Sequence, residues 1–425
     1  MNTEVKSSNQ LLVLQKCSQY ATILWCISIG WSSAMANSMM VITSILVLMN
    51  LSFQPQKINF KKIFTHPIIL LFFIIFLSVF WSKDFISGLD NTKSYLPFLL
   101  FPLVLIYWNK VQPQVILKGV KYLLFSLVIG LIFTYLLNIL PSETSFNLLQ
   151  KFGHLFKPFT NSNKSLFGWY VPIMERIHFA NILTYCGIAS IFLFLKNKKV
   201  TYLLIGLFFV TSPFILGARA SMIGVISFLP ILFIYAINQY SKKLQPIVLI
   251  IGLILISIFA YISYPNILSR YHQTQYELES LKNQSFKEKD YQHFATLTRF
   301  VSWKHSWKLF IEKPAFGHGI GTYLDQYEYN YQLENNDLPM TYHSQWLYFL
   351  GVFGIIGLFI VLCSCIYFGF QLKTTFSTIY FCCFSIYVSV IWLFDTGLLQ
   401  KKEMMAFALF LSFATCLKKT EKSYI

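Results

Sequence analysis

Apolar residues fall into a dozen blocks along the chain, each of about membrane-spanning length, roughly 20 residues, with polar connectors between them. The blocks predict helical spans over 17–33, 35–53, 67–81, 95–109, 120–140, 178–195, 200–216, 220–238, 245–263, 343–368, 376–394 and 403–417. This is the pattern of an all-α polytopic membrane protein with about twelve transmembrane helices, a single integral membrane domain over 1–425. Two connectors, 141–177 and 264–342, exceed ordinary connecting length, and long connectors are where function is usually built.

Composition agrees with the pattern. Of 425 residues, 56% are hydrophobic and 12% charged, against roughly 25% charged in an ordinary soluble domain. Mean hydropathy is +0.56, which excludes a water-soluble globular protein. A net charge of +17 in a soluble chain would point to nucleic acid. Here the cations lie in loops between apolar blocks, so sidedness explains them instead. With both termini cytoplasmic, the inner loops hold 17 lysines and only Glu4 and Glu421, and the net charge splits as +15 inside and +2 outside. An alternative reading makes 1–36 a cleaved signal peptide ending at Ala34-Met35-Ala36. The eight cysteines sit in or beside apolar blocks and predict neither disulfides nor a zinc site.

The connector 264–342 is rich in aromatic residues, so its composition is not that of a disordered segment. At 100° per residue, Phe300, Trp303, Trp307, Phe310 and Ile311 share about a 100° arc, which predicts an amphipathic helix over 296–312. Its apolar face rests either on the membrane surface or on the loop's own core. Pro314 and Gly317-His318-Gly319-Ile320-Gly321 then predict a tight turn with His318 solvated, because no strand precedes them as a dinucleotide fingerprint requires.

Of 34 cations only four are arginine, Arg176, Arg219, Arg270 and Arg299, and all four fall outside in this topology. A guanidinium binds phosphate through a planar fork that lysine lacks. Arg219 sits in the reversal Gly217-Ala218-Arg219-Ala220-Ser221 at a membrane boundary, where a charge is expensive unless it faces a partner, a polar cavity or, by snorkelling, lipid phosphate. His343 opens the tenth span, where the positive end of a helix favours a neutral imidazole fit to act as a base. A helix cap is the plainer reading of the same histidine. Arg176 and His178 start the sixth span and line the same outer cavity, or else Arg176 pairs internally with Glu175 or Asp90. Glu334 and Asp337 have the chemistry of a divalent-cation site, or of a solvated turn before Pro339.

Taken in order, the Arg219 reversal, Thr298-Arg299-Phe300-Val301-Ser302-Trp303, Pro314, the Gly317–Gly321 run, His343-Ser344-Gln345-Trp346-Leu347 and Gly351-Val352-Phe353-Gly354-Ile355-Ile356-Gly357-Leu358 resemble the O-antigen ligase and polymerase superfamily. His66-Pro67 before the third span and the Leu-rich run after Ser82-Lys83-Asp84 resemble the ligases, whereas Ser344 stands where many members carry Asn.

The resemblance implies a GT-C-like membrane glycosyltransferase of the bacterial inner membrane, with the periplasmic loop 264–342 capping its active site. It would move a preassembled glycan from undecaprenyl diphosphate to a lipid A-core hydroxyl or, in a polymerase, to another carrier-linked unit. It implies no cofactor, no metal and inversion at the anomeric carbon. Arg219 and Arg299 match the family's diphosphate-binding arginines and His343 its catalytic histidine; Arg176, His178 and Arg270 are further substrate-binding candidates. Partners expected are the lipid-linked donor, the lipid A-core acceptor and membrane lipid, with no nucleic acid and a monomeric state. A transporter of lipid-linked glycans is the second class; against it, no Asp or Glu falls at the centre of a predicted span and no internal repeat is visible.

Overall fold

The computed structural model describes residues 2–53, 65–139, 176–238, 295–335, 343–372, 374–399 and 401–418, with 261, 264, 268, 271–272, 274–277 and 279. Among these there is helix and no strand. In chain order the helices are α1 (Asn2–Ile29), α2 (Ser33–Phe53), α3 (Pro67–Ser78), α4 (Phe85–Lys93), α5 (Leu96–Val111), α6 (Gln114–Ile139) and α7 (Arg176–Asn197). They continue as α8 (Val200–Leu216), α9 (Arg219–Asn238), α10 (Ala295–Glu312), α11 (Tyr323–Asn335), α12 (Gln345–Gln371), α13 (Thr375–Phe394) and α14 (Lys401–Lys418).

Six segments among the described residues are long and apolar enough to cross a membrane: Ser33–Phe53, Phe85–Val111, Gln114–Ile132, Ile177–Asn197, Gln345–Gln371 and Thr375–Phe394. Three shorter apolar helices, Pro67–Trp81, Val200–Leu216 and Arg219–Tyr235, fall on three more of the predicted spans. Of the remaining three expectations, 17–33 lies largely in α1 and 403–417 in α14, while 245–263 is outside the described residues apart from Tyr261. The first helix is built into the bundle, with Trp25 against Phe101 at 3.8 Å between ring centroids and Thr22 accepting from Trp108 Nε1 at 2.9 Å. All eight cysteines are free.

Helix ends follow local chemistry. Pro67 opens α3, the position where its missing N–H costs nothing. Asp84 caps α4 through Ser87 N–H at 2.9 Å, Thr374 caps α13 through Ser377 N–H at 3.2 Å, and Gly217 ends α8 in the left-handed conformation at φ 69°.

The amphipathic helix appears as α10, but its buried face is the polar one. Thr298, Ser302, His305, Ser306 and Leu309 point inward, while Phe300, Trp307 and Ile311 are about half exposed. Of the apolar arc, Phe300, Trp307 and Ile311 are turned outward, whereas Trp303 is turned inward, its Nε1 donating to His343 O and its ring 6.2 Å from that of Phe394.

His318 is not solvated; it is buried, its Nε2 donating to Leu309 O at 2.8 Å. Burial, ahead of the nearby charges, pulls its pKa below the usual histidine value. The whole glycine run is drawn in because it repairs a broken helix. At Gly354 (φ 67°, ψ −172°) α12 leaves helical geometry, freeing backbone groups that cannot stay unpaired in an apolar setting. Ile355 and Ile356 N–H donate to Pro314 O (2.9 Å) and Ala315 O (3.2 Å), and Gly351 O and Val352 O accept from His318 N–H (2.8 Å) and Gly319 N–H (2.9 Å). The run's other edge docks on the α3–α4 corner, where Ile320 N–H reaches Ser78 Oγ (3.2 Å), Gly321 N–H reaches Ser82 Oγ (3.0 Å) and Lys83 N–H reaches Thr322 Oγ1 (2.6 Å).

Gly354→Ala is expected to be strongly destabilising, since its Cβ would stand 2.2 Å from Ala315 O in a region of backbone space open essentially to glycine alone, at a cost of about 1–3 kcal/mol for strain alone. Thermal unfolding in detergent should show a large drop for this variant. Gly369→Ala on the same helix, whose Cβ would meet only the Phe381 ring at 3.2 Å, should change far less.

Candidate active site

Two groups of polar side chains gather at the end of the bundle where α7, α9, α12 and α14 begin and α13 ends. The first is assembled around His343. Its backbone N–H donates to Ser302 Oγ at 3.2 Å, and its carbonyl accepts from Trp303 Nε1 at 3.1 Å. Both partners lie within about one turn of Arg299 on α10. Immediately after it, Ser344 Oγ donates to Trp392 O at 3.2 Å and accepts from Leu347 N–H at 3.4 Å, and Gln345 N–H donates to Asp395 O at 3.1 Å. Ser344 is thus the helix cap, and His343 lies one residue outside the helix, released from capping.

These ties bring Arg299, His343 and Asp395 within electrostatic range of one another. Burial first, and the Arg299 charge second, lower the His343 pKa to about 4, with Asp395 opposing. The imidazole is therefore neutral at pH 7. Burial also lowers the Arg299 pKa, partly offset by the Asp395 and Glu277 carboxylates; starting from 12.5, it remains a cation. Asp395 Oδ1 accepts from Thr396 N–H at 2.8 Å, and Oδ2 is buried with no hydrogen bond among the described residues.

Arg219 heads α9. That helix runs antiparallel to α13: Tyr235 meets Phe376, Phe228 meets Tyr387, and Gly224 lies against Tyr387 and Ile391. The same register carries Arg219 level with Phe394 and Asp395. The Arg219 side chain is half-buried.

The second group surrounds Glu403, which is fully buried. Its Oε2 meets His178 Nδ1 at 2.5 Å, and its Oε1 accepts from Asn181 Nδ2 at 2.9 Å and Tyr185 OH at 3.3 Å. Asn181 Oδ1 in turn accepts from Ser221 Oγ at 2.5 Å and Tyr387 OH at 3.0 Å. His178 is accordingly turned inward onto a carboxylate instead of standing open in a cavity. Asp90 pairs with Lys93. The side chains of Arg176 and Glu334 lie outside what is described, as do Arg270 and Asp337. Among the described residues no three His, Cys, Asp or Glu side chains come together as metal ligands.

Asp395, Glu277 and Glu403 are the residues that sequence reasoning passed over. The desolvation argument that singled out Arg219 applies equally to an acid at a span boundary, and both Asp395 and Glu403 stand at one.

A many-helix membrane protein with arginine, histidine and carboxylate groups clustered at one end of its bundle is the class these features define. Residues 201–362 match the family model described as O-Antigen ligase, a segment that carries Arg219, Arg299 and His343; this match supports the O-antigen ligase superfamily. Asp395 and Glu403 lie beyond the matched segment. No curated protein matches the chain.

A histidine whose folded pKa is lowered, from 6.5 to about 4, contributes stability that is fully present above the unfolded pKa and lost as pH falls through the folded one. Melting curves between these two pH values should therefore show His343→Gln losing less stability on acidification than the unsubstituted protein. Equal losses would mean that the imidazole is solvated.

Proposed function

We propose that the chain is an O-antigen ligase-like glycosyltransferase of the bacterial inner membrane. It transfers a preassembled glycan from undecaprenyl diphosphate to a sugar hydroxyl of the lipid A core on the periplasmic face, with both termini cytoplasmic and loop 264–342 capping the site. The observation that carries this reading is the clamp of His343 on α10 about one turn from Arg299, which sets a neutral imidazole beside a guanidinium.

The chemistry requires both. His343 accepts the proton of the acceptor hydroxyl as that oxygen attacks the anomeric carbon, and the bond from that carbon to the diphosphate oxygen breaks with inversion. The departing diphosphate gains negative charge, which Arg299 and Arg219 receive. Preorganised donors of this kind contribute roughly 3 kcal/mol each to transition-state stabilisation. Asp395, which favours the protonated imidazole, stabilises the imidazolium as it forms. With the charge work done by arginines, transfer needs no metal.

Purified protein given an undecaprenyl-diphosphate glycan and lipid A-core, with EDTA present, should form product on the core. Lengthened carrier-linked chains instead would make it a polymerase of the same superfamily, and activity restored only by magnesium would refute the metal-free mechanism. His343→Ala should abolish transfer and leave carrier-lipid binding largely intact. Arg299→Lys should lose most of its activity despite keeping the charge, because an ammonium cannot replace the two-pronged fork; normal activity would make Arg299 structural.

A further inference from the structure

Glu403 takes no part in the chemistry above, yet it touches both halves of the site. Toward the Arg219 half, Glu403 Oε1 accepts from Asn181 Nδ2 (2.9 Å), and Asn181 Oδ1 accepts from Ser221 Oγ (2.5 Å). Ser221 lies in the first turn of the helix that Arg219 opens. Toward the His343 half, the carboxylate packs directly beneath Gly397, where a Cβ would stand 2.2 Å from Oε1. Gly397 begins the short helical turn Gly397–Leu399, and Leu398 N–H donates to Gln345 Oε1 at 3.3 Å, two residues from His343. A third arm, through His178, holds the first turn of α7.

We propose that Glu403 is a positioning residue for the diphosphate site. Through Asn181 and Ser221 it fixes the first turn of α9 and the aim of Arg219, and through Gly397 it ties that arginine to the segment that carries His343. The inference rests on the reading of Arg219 as a diphosphate ligand.

The geometry gives the proposal its physical content. A carboxylate out of water is costly unless its oxygens are hydrogen-bonded; here both are, each by donors from α7. Asn181 donates toward Glu403 with its amide nitrogen and accepts from α9 and α13 with its amide oxygen. Its orientation is thereby determined: reversed, it would turn its NH2 toward two hydroxyls and its oxygen toward the carboxylate. The relay is therefore directional, and loss of the acid at one end removes the reason for the amide to present its oxygen to Ser221. At the other end, a loosened Ser221 frees the first turn of α9, where a guanidinium fork needs fixed direction to meet two phosphate oxygens.

The test is a double-mutant cycle on the full chain in detergent micelles, reading equilibrium binding of undecaprenyl diphosphate. Ser221→Ala removes one hydroxyl of the relay and leaves every charge in place. It should weaken binding about tenfold when Arg219 is present, and by less than about twofold when Arg219 is already Gln, the non-additivity expected of residues that act through one another. Glu403→Gln should follow the same pattern with a larger effect; should it fail to fold, the Ser221 cycle still decides. Gly397→Ala, which forces the carboxylate to move without removing any functional group, should weaken binding in the same Arg219-dependent way.

Equal effects in both Arg219 backgrounds would reduce the network to a structural one and overturn the proposal, as would unchanged binding by folded Ser221→Ala. Folded, unsubstituted protein that binds no undecaprenyl diphosphate would instead overturn the diphosphate reading of the site.

Discussion

Backbone hydrogen bonds that a helix cannot make for itself organise this molecule. Where α12 breaks at Gly354, its freed groups are satisfied by the Pro314–Gly319 segment. The far side of the same glycine run bonds to the α3–α4 corner. A connector that would otherwise be an appendage becomes part of the bundle, and α10, just ahead of Pro314, inherits a fixed place. The site depends on that placement, because the His343 peptide is held by Ser302 and Trp303 of α10. Glycine is required where two backbones meet with no room for a Cβ, as at Gly317 and Gly354.

Electrostatics divides the polar end into two kinds of charge. Arg299 and His343 sit together with Asp395, a mixture in which the imidazole is driven neutral while the guanidinium stays ionised. Glu403 lies deeper, with hydrogen bonds to His178, Asn181 and Tyr185. In the proposed reaction the first group changes its charge, and the second stays as it is. Their meeting point is the short stretch from Asp395 to Leu399, against which both are packed.

The helical spans were legible because each carries its own signal, a run of apolar residues whose meaning does not depend on its neighbours. Helix α10 was legible in the same way from its period, though not the choice of inward face: its buried side is polar because its partners, Tyr323 and Tyr327, offer hydroxyls to Ser306 and Ser302. His318 misled, since a histidine between glycines reads as exposed until the loop is known to fill a gap in a distant helix. Arg299 and Arg219 became candidates as two of only four arginines, Arg219 also through the cost of charge at a membrane boundary, and His343 through its place at a helix start. Glu403 was not found because its meaning lies in residues up to 225 positions away, brought together only by tertiary packing.

The outward apolar residues of α10 set where the proposed chemistry happens along the membrane normal. Phe300 is adjacent in sequence to Arg299, and Trp307 and Ile311 continue the same stripe. Such a stripe settles at the boundary between headgroups and acyl chains. In the proposed function Arg299 is then held at the depth of a phosphate joined to a lipid tail, and the bilayer itself acts as the ruler that aligns the two.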